Sequence, residues 1–190
     1  HDEIEHNHNE HEEDEHFWTD SKNAIKMISN ILENIIEIDN EKTSGKYIEE
    51  YKSNANSYIN KISNLSTEIK NTVDNSSNKL LIFGDRFPFT YFTEEYDLDY
   101  VAAFDGCSSA VEAKTSTIAE LINIAKNTNT KAIFKIEMSN GKIAQTIADA
   151  TDAKILELHS CQNVTKDDFN RGVTYAYTMK SNLEAIKEGL

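Results

Sequence analysis

From Lys79 onward, short apolar runs alternate with helix-patterned stretches, and few folds accommodate that order. Residues 79–83 (Lys-Leu-Leu-Ile-Phe), 100–104, 131–136 and 154–158 read as four strands. Helical stretches near 88–95, 116–126 and 142–150 lie between them, and 165–188 forms a last helical region. Strands separated by helices predict an α/β domain, a parallel four-stranded sheet flanked by helices. Such sheets bind ligands beyond the carboxyl ends of their strands. The residues that follow each strand therefore carry the functional reading: Asp85 and Arg86, Asp105 and Cys107, Glu137, and His159 through Cys161.

The first half is helical. Asp20 is a good N-cap for a helix over 21–38, with Ala24, Ile25, Ile28, Ile31, Leu32, Ile35 and Ile36 as its apolar face. After a turn at 39–45, Tyr47, Tyr51, Ala55, Tyr58, Ile62, Leu65, Ile69 and Val73 recur every three or four residues. A helix over 46–73 would be roughly 40 Å long, which fits a backbone linking two lobes. The spacing divides the chain into a His/acid-rich flexible metal loop (1–16), a remnant of an N-terminal lobe (17–45), a long linker helix (46–77) and a C-terminal α/β lobe (78–190).

A net charge of −14 argues against nucleic-acid binding, because phosphate contacts need clustered Lys and Arg. No apolar run approaches the ~20 residues needed to cross a bilayer. The chain opens without Met inside a polar run, and reads as a fragment or processed form lacking its N-terminal part. That run, 1–16, holds five of the six histidines (His1, His6, His8, His11 and His16), eight acidic residues and no Lys or Arg. A segment this polar cannot bury a core. Its imidazoles and carboxylates suit zinc and similar divalent ions. His16 stands where the first helix pattern begins and can be held in fixed geometry. His1, His6, His8 and His11 read as weak sites in the loop.

The loops after the strands share one edge of the sheet, so several of these residues could converge there with His16. His16, Asp85 and His159 would supply three zinc ligands, with Glu137 or a residue outside the chain as a fourth or supporting group. Each has a plainer alternative. His159 could be a hydrogen-bonded loop residue, Asp85-Arg86 a local ion pair or turn, and Glu137 a helix cap. Cys107 and Cys161 could form a disulfide, stay as small free core residues, or bind metal as thiolates; an oxidising exterior favours the disulfide. A metal-assisted hydrolytic centre built from Asp85, Glu137 and His159 is conceivable, but no nucleophile motif accompanies it. Six glycines are too few for a phosphate loop, and the chain does not read as an enzyme.

The order of several segments resembles a known family. Glu15-His16-Phe17-Trp18-Thr19-Asp20-Ser21 is similar to the His-x-Trp-x-Asp-Pro segment of zinc and manganese solute-binding proteins of metal ABC transporters, the TroA-like cluster. Asn54-Ala55-x-x-Tyr58 resembles part of their long backbone helix. Phe87-Pro88-Phe89-Thr90-Tyr91-Phe92 with Tyr96-Asp97-Leu98 resembles their His-x-Ala-Phe-x-Tyr-Phe…Tyr-Gly-Leu segment. The stretch from Ile143-Ala144 to Leu158 resembles the helix and strand before their last ligand. The resemblance implies the C-terminal lobe of a bilobal protein outside the cell membrane, either lipid-anchored or periplasmic. Such a protein captures zinc, less readily manganese, acts as a monomer and passes the ion to an ABC permease. A surface adhesin or zinc-buffering module is the competing implication. At the ligand positions the resemblance puts His16, Asp85 (where the family has His or Glu) and His159 (where it usually has Asp). The family's first His has no counterpart. Imidazole coordinates in its neutral form, so zinc affinity should fall roughly tenfold or more between about pH 7.5 and about pH 5.5. Calorimetric titration at both pH values checks this, and a flat profile would count against histidine ligation.

Overall fold

The four apolar runs are strands of one sheet. The computed structural model describes residues 14–104 and 113–190. Within them β1 (Leu80–Phe83), β2 (Asp99–Ala102), β3 (Ala132–Lys135) and β4 (Lys154–Glu157) pair in parallel in the order β2-β1-β3-β4. After β2, at the outer edge, the chain crosses back over β1 to form β3. The carboxyl ends of β1 and β3 therefore flank the point where the order reverses, the usual place for a ligand crevice. Gly84, Asp85 and Glu137 line a cleft there, together with Arg86, Phe104 and Lys142.

Side-chain alternation along the strands divides the core in two. Leu81, Phe83, Ala132 and Phe134 face one side, packed against α2 (Ile48–Asp74), α3 (Thr90–Tyr96) and α7 (Tyr175–Gly189). Ile82 and Ile133 face the other, against α4 (Thr115–Asn127) and α5 (Lys142–Asp149). Both faces are thus covered, as a parallel sheet requires. On the first side Phe83, Phe87, Phe89, Phe92, Tyr96 and Phe134 form a continuous aromatic cluster with neighbouring ring centroids 4.8–6.2 Å apart.

The helices keep their sequence register but differ in extent. α1 runs Ser21–Thr43, five residues past the expected end. Asp20 caps it by accepting from the Lys22 and Asn23 N–H groups, and Ser44, at φ +59°, ends it. Its expected apolar face is only partly covered. Ala24 is buried, but Ile31 is 55% exposed. α1 packs mainly on α2, and one neighbour cannot cover so wide a stripe. The long helix α2 buries Ile62, Ile69 and Val73 in its second half, while Tyr47 at its start stays exposed. The region 165–188 is two helices, α6 (Lys166–Asn170) and α7. Gly172 (φ +69°) breaks it, and Thr174 caps the restart by accepting from the Tyr177 N–H.

Gly84 is the tightest point between sheet and helix. A Cβ there would stand 2.3 Å from the Ala144 Cα and 2.5 Å from its nitrogen. The backbones of β1 and α5 cannot both keep their positions around a methyl group. Gly84→Ala should therefore destabilise the protein by about 2 kcal/mol or more, the cost of forcing atoms into a packed interior. Urea unfolding measures this, and an unchanged midpoint would show that the approach is looser than described.

Candidate metal centre

His16 precedes a 3₁₀ turn (Phe17–Thr19) and is 3% exposed. Its carbonyl accepts from the Thr19 N–H (3.0 Å) and hydroxyl (2.8 Å), which closes the turn. Trp18 fastens the segment to the lobe. Its indole N–H donates to the Ser160 carbonyl (2.8 Å), and its own carbonyl accepts from the Tyr175 hydroxyl (2.9 Å). Burial, the largest influence on Tyr175, raises its pKa and keeps it a donor. The imidazole is thereby carried to the loop after β4, at the carboxyl edge of the sheet.

Asp14 orients that ring. Its Oδ1 accepts from the His16 backbone N–H (3.0 Å) and lies 2.7 Å from Nδ1; its Oδ2 accepts from the Thr90 N–H (3.0 Å) at the start of α3. A carboxylate only accepts, so this pairing puts the ring proton on Nδ1 and leaves the lone pair on Nε2. A histidine held by a carboxylate on one nitrogen is the usual arrangement of a metal ligand. Nε2 faces Oε1 of the Gln162 side-chain amide at 3.1 Å, an oxygen that can only accept, so the amide bonds this lone pair only when turned to present its NH₂ end.

His159 is held differently. Asn182, 1% exposed, brackets its backbone, accepting from the N–H (2.8 Å) and donating to the carbonyl (2.9 Å). Its Nδ1 accepts from the Cys161 N–H (2.9 Å), so its proton sits on Nε2. Glu137 Oε2 lies 3.8 Å from Nδ1. Glu137, 8% exposed, accepts from both the backbone N–H (2.8 Å) and the hydroxyl of Ser160. It therefore braces the β4 loop rather than capping α5, whose first turn follows Gly141. Asp85 is 6% exposed; Oδ1 accepts from the Arg86 N–H (2.9 Å), and Oδ2 has no hydrogen-bond partner among the described residues. An orphaned buried carboxylate oxygen is uncommon and suits a cation.

The sequence-predicted residues thus gather at one edge without closing a cage. Glu137 approaches His159 and shares the cleft wall with Asp85, while His16 meets the β4 loop through Gln162. Among the described residues no three His, Cys, Asp or Glu side chains stand close enough together to hold a metal. Cys161 is half-buried beside His159, and Cys107, its expected disulfide partner, lies outside the described residues. Burial, with the Glu137 charge added, pushes the Cys161 thiol up to about 12. Cys107, Asp105 and His1, His6, His8 and His11 lie outside the described residues. Sequence reasoning missed Asp14 and Gln162. Asp14 looked like one acid among eight, its only signal being its place two residues before His16. Gln162 carried no signal, because its role depends on a contact across 146 positions.

Comparison with known proteins decides the relationship. The family model described as ZnuA, zinc-uptake complex component A, periplasmic, matches residues 1–189. The chain belongs to this family. It is 31% identical over 180 residues to the high-affinity zinc uptake system protein ZnuA of Bacillus subtilis, covering 95% of this chain and 54% of that one. The crystal structure of the metal-dependent lipoprotein YcdH from Bacillus subtilis superposes with a TM-score of 0.77 at 30% identity, over 92% of this chain and 64% of that one. The Zn(II)-bound ZnuA-like domain of Streptococcus pneumoniae AdcA shares the fold, with a TM-score of 0.71 at 24% identity over 93% of this chain and 63% of its own. The chain spans about half the length of the Bacillus subtilis ZnuA relative.

Asp14 makes stability at this site depend on pH. Burial raises its pKa, but hydrogen bonds from His16 and Thr90 together outweigh that and hold it below the ordinary carboxylate range. A carboxylate with a lowered folded-state pKa stabilises the fold above its unfolded value and loses that contribution as pH falls through the folded one. Asp14→Asn should therefore be less stable than the parent by about 1 kcal/mol at neutral pH. The difference should shrink below about pH 4. Thermal unfolding followed from pH 7 to pH 3 tests this, and a pH-independent difference would exclude the charged pairing.

Proposed function

We propose that this chain is the metal-capturing C-terminal portion of an extracytoplasmic solute-binding protein that takes up zinc and delivers it to an ABC permease. The observation that carries this is the Asp14–His16 pair, an imidazole already oriented by a carboxylate at the ligand edge of a parallel sheet. Family membership supports the transport role, and the zinc-uptake descriptions of the relatives support the ion. Imidazole donors also favour zinc over manganese. The same kinship supports a binding protein rather than an enzyme, one anchored by lipid at the cell surface or held in the periplasm; we read it as a monomer.

In this reading His16 coordinates through Nε2 and Asp85 offers its unpartnered Oδ2. His159 joins after giving up its bond from the Cys161 N–H, because a ring that binds metal through Nε2 must carry its proton on Nδ1. Glu137 holds the β4 loop in place from behind. The histidines of the N-terminal run act as a weaker collector. Because no three ligands are pre-gathered among the described residues, capture draws the strand-end loops together, which suits an ion that must later be released.

Zinc titration of the protein tests the assignment. His16→Ala, Asp85→Ala and His159→Ala should each weaken the tight site by roughly tenfold or more, with His16→Ala the most severe. Deletion of residues 1–13 should leave tight affinity intact and remove only weaker binding. If the deletion abolishes tight binding and the three substitutions do not, the site lies in the N-terminal run instead.

A further inference from the structure

We propose that Gln162 sets the affinity of the site by capping the coordinating nitrogen of His16 and competing with the metal for it. This rests on the reading of His16 as a ligand. Asp14 takes the Nδ1 proton, so the lone pair of the ring is on Nε2. The Gln162 amide faces that atom through Oε1 at 3.1 Å, and two acceptors cannot bond each other, so with the Nδ1 proton on Asp14 the amide has to be turned end for end. The two ends of a side-chain amide interchange by a half-turn, and the NH₂ end donates to the lone pair. The group that would bind the ion is thus hydrogen-bonded within the protein.

The placement is built. Glu137 accepts from Ser160 through both backbone and hydroxyl, and Trp18 donates to the Ser160 carbonyl. The Gln162 N–H then donates to the Ser160 hydroxyl (3.3 Å). Cys161 between them adopts the left-handed conformation, φ +62°, uncommon for a residue with a side chain. That turn carries Gln162 across to the opposite segment. Gln162 is itself exposed while His16 is 3% exposed, so its side chain contributes little to the core, and reaching His16 is its specific contact.

Capping has a consequence for cargo. An incoming ion must displace the amide, and the amide re-forms its bond as the ion leaves. An uncharged group swings aside without stranding a buried charge, so exchange costs about one neutral hydrogen bond. A net bond of that kind amounts to roughly a two- to tenfold factor in affinity.

The test is zinc titration of Gln162→Ala, Gln162→Asn and His16→Ala beside the parent protein. Gln162→Ala should bind zinc about two- to tenfold more tightly. Gln162→Asn, one methylene too short to span 3.1 Å from the same backbone, should behave like it. Weaker binding would make the amide a ligand, and unchanged binding would make the contact idle; either overturns the cap while the loss of affinity in His16→Ala leaves the metal reading standing. If His16→Ala binds zinc like the parent, the metal reading fails and the cap falls with it.

Discussion

The aromatic cluster on one face of the sheet fixes where everything at the ligand edge can go. Phe83 ends β1, and Phe87 and Phe89 turn back onto it with ring centroids 5.1 and 5.3 Å away. All three are 1% exposed or less, and burying rings of this size is worth several kcal/mol to the fold. The loop between them therefore has one path. It leaves Asp85 at the mouth of the cleft and delivers the Thr90 N–H to Asp14. If that cluster loosened, Asp14 would lose one of its anchors and His16 its orientation.

From this follows a chain of support running from apolar packing to chemistry. The sheet positions the β1 and β4 loops, and Glu137 stiffens the second of these through Ser160. Trp18 ties the N-terminal segment to the same serine carbonyl, and Tyr175 holds Trp18 from α7. His16 is thus fixed by four elements distant in sequence. Under the proposal that His16, Asp85 and His159 hold the ion, the first ligand is oriented in advance and the other two complete the site on capture.

Much of this architecture was legible in the linear pattern. The strands were found because an apolar run of four or five residues between turn signals has few other uses, and the parallel arrangement followed from the helices between them. The cap at Asp20 was legible because capping is local chemistry. The split at Gly172 was less so, since the flanking periodicity continues on either side and only the left-handed backbone at one glycine interrupts it. The half-covered stripe of α1 could not be foreseen either, because periodicity reports which face is apolar but not how many neighbours meet it.

The functional residues divide in the same manner. Composition and spacing by themselves determined the fold class, the place of His16 just before the first helix and the strand-end positions of Asp85, Glu137 and His159, because residue type and distance along a strand are properties of the sequence. Only the tertiary structure decided that Asp14 meets Nδ1 of His16, that His159 turns its Nδ1 toward Cys161, that Glu137 serves Ser160, and that Gln162 reaches a ring 146 positions away. Those are hydrogen-bond choices within a few ångströms, made between segments that folding alone brings together.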